Sequence, residues 1–194
     1  EIEGKKIGIV ANHSSIIINK GEFVHLVDSL IGLGLDIKKI FSPEHGFKGD
    51  RADGELIKDG KYRNTIDIIS LYGNNKEMKV KDINDLDLII FDIQDVGVRY
   101  YTYLSTLHYV MEATAKADKD LIVLDRPNPN SHYIDGPVLD LRYSSFIGLH
   151  PVPIVYGMTI GEYALMINGE NWLENGLKAK LDIVKISNYN HKSH

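Results

Sequence analysis

The sequence has no cysteine, which excludes disulfides, thiolate metal sites and a cysteine nucleophile together. No apolar run approaches the roughly 18 residues that a membrane-spanning helix needs. Neither sign of charge dominates: 22 Lys and Arg stand against 27 Asp and Glu, for a formal net charge of −5. No lysine or arginine run occurs, which argues against nucleic acid or an anionic membrane as the main partner. The opening residues EIEGKKIGIV lack the apolar core of a secretory leader and read instead as the start of a strand. Internal repeats and low-complexity tracts are missing too. So are three short signatures. Without G-x-G-x-x-G after the first strand a dinucleotide cofactor is not expected, and without G-x-x-x-x-G-K-[ST] there is no P-loop. The absence of a G-x-S-x-G elbow weakens an acyl-transfer hydrolase. No cofactor is expected at all.

What is present is an orderly alternation. At 194 residues the chain is long enough for one sizeable core. KKIGIVAN (5–12) is an apolar, β-rich run, and EFVHLVDSLIGLG after it carries Phe23, Val24, Val27, Leu30 and Ile31 at helical spacing, ending in glycines. LDIKKIF and TIDIISLYG read as further strands. LDLIIFDIQD (86–95) is so continuously apolar that it predicts a strand buried on both faces. TYLSTLHYVMEATAKA (102–117) is an amphipathic helix, KDLIVLDRPNPN another buried strand, and KAKLDIVKI a last one. Thr159 with Glu162 three residues on forms a capping-box pattern at the head of TIGEYALMING. The alternation predicts an α/β fold, a Rossmann-like, doubly wound and mostly parallel sheet with helices on both faces. The Pro/Gly-rich stretch 127–157 is a long connection, a length that usually carries function or small elements of its own.

In such a sheet, ligands bind beyond the carboxyl ends of the strands. Asn12 follows the first strand there, Glu44 and His45 the second, and Asp92, Gln94 and Asp95 the long central one, with Arg99 close behind. Asp125, Arg126 and Asn128 follow the next. Each has a plain structural alternative. Asn12 caps a turn, Asp95 and Arg99 pair at i, i+4, Asp125 and Arg126 form an ion pair, and the PNP turn fixes backbone geometry. Their convergence on one edge is what marks a site. A turn glutamate near aspartates and a histidine suits two chemistries. One is a pair of carboxyls flanking a glycosidic bond; the other is a divalent-metal hydrolase with Glu44, His45, Asp92 and Asp125 as ligands. A domain that only binds glycan is a third possibility, and residue types and spacing leave all three open.

Four longer motifs, SPEHGFKGD, DIQDVGVRYYTYLSTL, LDRPNPNSHYIDGPVL and SFIGLHPVPIVYGMTIGEYALMINGE, occur in this order. Together they closely resemble the exo-β-N-acetylmuramidase family of the NamZ type, from about Gly4 to Ile186. The resemblance implies a bacterial glycoside hydrolase that removes N-acetylmuramic acid from the non-reducing end of peptidoglycan fragments. It also implies a Rossmann-like N-terminal domain over residues 1–194, the family's smaller C-terminal domain lying outside this chain, and an active site in the cleft between the two. Muramyl glycans are the implied partners, and the cell envelope or the secreted space is the implied location of the full-length protein. Oligomeric state is not implied.

The family's catalytic glutamate falls in the PEHG motif, hence on Glu44 as general acid. His45, Asp92, Gln94, Asp95, Arg99, Tyr101, Asp125, Arg126 and Asn128 stand in its other cleft motifs. Asp92 or Asp95 is expected to tune Glu44 or to act as the second carboxyl. His45 is expected to orient Glu44 or bond substrate, or else to serve the turn. Arg99 or Arg126 suits the lactyl carboxylate of muramic acid, because a guanidinium grips a carboxylate with two hydrogen bonds. Of Tyr100, Tyr101 and Tyr103, one or two are expected in the core and the rest on sugar faces. The sequence departs from the family where NHSSIIINKG replaces the usual Thr-Gly after the first strand's asparagine.

Overall fold

A computed structural model describes residues 2–19, 21–48, 60–73 and 75–192. Among the described residues nine strands form: β1 (Lys6–Ala11), β2 (Ile16–Asn19), β3 (Glu22–His25), β4 (Asp36–Ser42), β5 (Gly60–Tyr62), β6 (Ile66–Ser70), β7 (Leu88–Asp92), β8 (Asp120–Leu124) and β9 (Lys180–Val184). The helices are α1 (Leu26–Gly32), the single turn α2 (Val80–Ile83), α3 (Tyr103–Lys116) and α4 (Ile160–Gly169). Seven strands make one sheet in the order β5-β6-β4-β1-β7-β8-β9. All its pairings are parallel except that of the edge strand β5 with β6. From the central β1 the chain moves out through β4 to β6, then returns to β7 and runs out through β8 to β9. The order therefore reverses between β1 and β7, the crevice where doubly wound sheets bind ligands.

Period-two alternation divides the apolar residues between two cores. Ile7, Ile9 and Ala11 of β1, with Leu88 and Ile90 of β7, face Leu26 and Val27 of α1. Val10, Phe41, Ile89 and Phe91 point the other way, onto Leu104, Leu107 and Met111 of α3 and Ile160 and Ala164 of α4. Both faces are thus covered by helix, which is why LIIFD is buried at every position. Each such aliphatic side chain contributes about 1.5–3 kcal/mol by burial, enough to set the register of the whole sheet. Gly8 marks close packing in the sheet: a Cβ there would lie 2.7 Å from Leu86 Cδ1 and 2.9 Å from Ile89 Cδ1.

The helix predicted to begin at Glu22 begins four residues later. Residues 22–25 form β3, an antiparallel hairpin arm against β2 in which Ile17 pairs with Val24 and Ile18 with Phe23. Helical spacing of Phe23 and Val24 yields here to cross-strand pairing with the β-branched Ile16, Ile17 and Ile18 of β2. Helix α4 forms as expected, with Thr159 and Glu162 closing a reciprocal capping box. That box stabilises the helix by on the order of 1 kcal/mol. The long connection carries a one-turn 3-10 helix at Leu141–Tyr143 and bridges from Val155 to Val98 and Asp135. The last two residues of the SPEHGFKGD motif lie outside the described residues.

Candidate active site

The site is built on the carboxyl ends of β1, β4, β7 and β8. In register, Val10 lies beside Phe41 and Ala11 beside Asp92, so the residues that follow them emerge together. After β4, Pro43 to Gly46 make a β-turn closed by the Gly46 N–H donating to the Pro43 carbonyl at 3.0 Å. His45, third in that turn, has φ 70°, the sign a type II turn requires there and one that asparagine or glycine usually supplies. The histidine thus holds a strained backbone position next to Glu44. Downstream, Phe47 packs against His25 and Tyr62, at centroid distances of 4.7 and 5.3 Å, and ties the turn to the hairpin and the sheet edge.

Glu44 is 9% exposed. Its Oε2 accepts a hydrogen bond from Thr102 Oγ1 at 2.6 Å. Thr102 is the N-cap of α3, yet its hydroxyl makes no capping bond; the group that would ordinarily satisfy the helix end serves the glutamate instead. The next residue, Tyr103, accepts from Asn12 Nδ2 at 2.9 Å and meets Tyr101 edge to face at 4.8 Å. Burial raises the phenol of Tyr103 well above its ordinary range, with the nearby Tyr101 adding to the effect and Glu44 contributing less. The start of α3 therefore touches both the β1 end and the β4 end.

Asn12 is wholly buried, and both ends of its carboxamide are hydrogen-bonded. Its Oδ1 accepts from the Ser14 amide at 2.9 Å and the Ser14 hydroxyl at 2.6 Å, and Ser14 Oγ in turn accepts from the Gln94 amide at 3.0 Å. Ser15 donates to the Asp92 carbonyl. Asp92 itself is 1% exposed and grips Arg126 with two parallel bonds, Nε to Oδ1 at 2.6 Å and Nη2 to Oδ2 at 2.8 Å. Gln94 reaches from the β7 end to the Pro127 carbonyl after β8 at 2.6 Å. Glu44, Thr102, Tyr103, Tyr101, Asn12, Gln94, Asp92 and Arg126 thus belong to one connected polar seam across four strand ends.

Four expected residues face elsewhere. Asp95 turns inward: Oδ2 accepts from the Gly97 amide at 2.8 Å and from the Tyr156 hydroxyl, while Oδ1 is buried without a hydrogen-bond partner among the described residues. Burial pushes its carboxyl up to about 6, and burial together with the Asp95 charge pushes the Tyr156 phenol up. Arg99, read as a possible clamp, donates through Nη1 to the Pro137 carbonyl at 2.8 Å and to the Val152 carbonyl, so it pins the long connection. Asp125 anchors the head of α4 by accepting from Thr159 Oγ1 at 2.9 Å and the Gly161 amide at 2.7 Å. Asn128 bonds the Met158 carbonyl and the Asn130 amide at 2.8 and 2.7 Å and packs against Gly97, where a Cβ would meet its Oδ1 at 2.0 Å.

These commitments bear on the metal alternative. Asp92 is held by Arg126 and Asp125 by α4, and among the described residues no three His, Asp or Glu side chains gather as metal ligands. A hollow of about 360 Å³ opens beside Asp125, bordered by Glu162, Lys185 and His191; Glu44, Asp92 and Arg126 do not line it. Sequence reasoning missed Thr102, Ser14 and Tyr156. Thr102 was visible as a helix start, but nothing in its spacing announces a bond to a residue 58 positions away.

Known proteins resemble this chain in sequence and fold. It matches the family described as "Exo-beta-N-acetylmuramidase NamZ, N-terminal" over residues 7–194. It is 36% identical over 196 residues to the peptidoglycan beta-N-acetylmuramidase NamZ of Bacillus subtilis (strain 168), an alignment covering 99% of this chain and 45% of that relative. Two solved DUF1343 family proteins of Bacteroides fragilis NCTC 9343 share the fold. One superposes with a TM-score of 0.81 at 39% identity, over 99% of this chain and 50% of its own. The other gives 0.86 at 34% identity, over 99% and 48%. The chain spans about half the length of the relatives it matches.

Proposed function

The chain belongs to the family described as exo-β-N-acetylmuramidase NamZ, N-terminal, and from that premise we propose that it is the glutamate-bearing half of a peptidoglycan glycosidase. The full-length protein removes N-acetylmuramic acid from the non-reducing end of muramyl glycans at the cell envelope, with Glu44 as general acid. The observation that carries this reading is the placement of Glu44 in the turn after β4, at the carboxyl edge beside the β1/β7 reversal, with one carboxyl oxygen held by Thr102. Glu44 gives its proton to the glycosidic oxygen as the bond from the anomeric carbon to that oxygen breaks. The bonding pair leaves with the oxygen, and positive charge develops on the sugar.

Asp92 and Arg126 form a neutral pair that ties the β7 and β8 ends together beneath the substrate. The second half of the cleft comes from the remainder of the full-length protein, consistent with relatives about twice as long. The test is release of a chromophore from a β-N-acetylmuramide by the full-length protein, with the β-N-acetylglucosaminide as control. We expect muramide-selective release that survives a chelator. Release abolished by chelation, or no preference between the two sugars, overturns the proposal.

A further inference from the structure

We infer that Thr102 is a positioning residue for the general acid: its hydroxyl fixes Glu44 Oε2 and thereby assigns Oε1 as the oxygen that carries the transferred proton. This rests on the reading of Glu44 given above. The head of α3 departs from the usual N-cap. A threonine at a helix N-cap ordinarily accepts a backbone N–H from the first turn, and Thr159 does so at the head of α4. Thr102 does not; its backbone has φ −69° and ψ −9°, and its side chain makes no capping bond. Its Oγ1 donates instead to Glu44 Oε2 at 2.6 Å, within the short range of hydroxyl-to-carboxylate bonds.

The rest of the seam makes that donor rigid. Tyr103, the adjoining residue, is 3% exposed and receives Asn12 Nδ2 at 2.9 Å. The Thr102 carbonyl accepts from the Thr106 amide at 3.0 Å. Thr102 is therefore held from the helix on one side and from the β1 end on the other, while Glu44 sits in a turn whose next residue has positive φ. A hydroxyl offers one proton, and here it goes to Oε2. The other oxygen, Oε1, is left to bear the proton.

In the chemical step the Oε1–H bond breaks, the proton joins the glycosidic oxygen, and the electrons of the broken O–H bond remain on Glu44 as carboxylate charge. A donated hydrogen bond is worth more to a carboxylate than to a neutral acid, so the Thr102 bond strengthens as the reaction proceeds. An interaction stronger in the transition state than in the ground state raises kcat rather than lowering KM.

The experiment uses the full-length protein, with Thr102→Val removing the hydroxyl at nearly constant shape and Thr102→Ser keeping it. Each variant is assayed on a muramide with an aryl leaving group and on one with a sugar leaving group, which needs a proton far more. We expect Thr102→Val to lower kcat on the sugar substrate by roughly 10- to 100-fold, the range for loss of a hydrogen bond to a charged group. KM should stay within about two-fold and the loss on the aryl substrate should be several-fold smaller, because only the step needing protonation depends on the donor. Thr102→Ser should restore most of the lost rate. Should Thr102→Val fail to fold, Thr102→Ala replaces it with the same expectations. Equal losses on both substrates, a change in KM alone, or a serine variant as impaired as the valine variant overturns the inference. Glu44→Gln run in parallel separates the two claims. Undiminished activity in Glu44→Gln refutes the role of the glutamate, whereas inactivity there with a wild-type rate in Thr102→Val refutes only the role of the threonine.

Discussion

Replacing Asp95 by asparagine should stabilise the protein at neutral pH and do progressively less as pH falls. Asp95 is 4% exposed, and burial lifts its carboxyl from an ordinary 3.8 to about 6. Between those two pH values the folded state holds a proton that the unfolded chain has released. Stability is therefore lost as pH rises from about 4 to about 6 and stays lost above that. A rise of about two pH units corresponds to about 3 kcal/mol. An amide cannot ionise, and its oxygen can keep the bonds from Gly97 and Tyr156. Its NH₂ then occupies the place of the unpartnered Oδ1, a cost independent of pH. Urea unfolding of wild type and Asp95→Asn, followed by the fluorescence of the single tryptophan Trp172, gives the difference at each pH. Between about pH 4.5 and pH 7.5 that difference should move towards the variant by about 2 kcal/mol, the remaining part of the shift lying below about pH 4.5. Groups that titrate identically in both proteins cancel. A difference that stays constant across this range refutes the reasoning.

Arg126→Met leaves the nearly inaccessible Asp92 without its bidentate partner, and breaking a buried pair in this way costs about 3–5 kcal/mol. Adding Asp92→Asn should recover much of that loss, which a double-mutant cycle by urea unfolding measures. Gly8→Ala drives a methyl against Leu86, Ile89 and Phe41 and should cost about 1–3 kcal/mol by overpacking, read as a lowered melting temperature. His45→Gly places at φ 70° a residue that adopts it freely, so its melting temperature should equal or exceed that of wild type; a large drop would show that the imidazole holds the turn. His150, buried on Trp172 and bonded to His108 and Tyr163, is held down to about 3 by burial and then by the charge of His108. The unfolded chain takes up its proton first, so stability should fall as pH drops below about 6.5, by up to about 1.4 kcal/mol per pH unit. His150→Gln should flatten that decline in the same urea titration.

Much of the fold was legible because burial and periodicity are local records of it. LIIFD announced a strand covered on both faces, and Thr159 with Glu162 announced α4. The hairpin of β2 and β3 was hidden because Phe23 and Val24 fit a helical stripe as well as a strand pair, and cross-strand pairing decided between them. The three-residue β5 carries too little pattern to be read. At the site, the topology already brought the polar strand ends to one edge. What each side chain holds could not be read, because the partners are remote in sequence. Asp125 is drawn to the head of α4 some 34 to 36 positions away, and Arg99 to carbonyls 38 and 53 positions away. Amide groups at a helix start and unpaired loop carbonyls compete for charged side chains as strongly as a substrate does.

The most direct test of the central claim is the turnover of the full-length protein carrying Glu44→Gln on a β-N-acetylmuramide with a sugar leaving group. The amide keeps the shape and the acceptor for Thr102 but has no acid proton to give. We expect a folded protein, with unchanged binding of substrate and a rate reduced by at least about 100-fold. Turnover at the wild-type rate by the folded variant would contradict the assignment of Glu44 as the general acid.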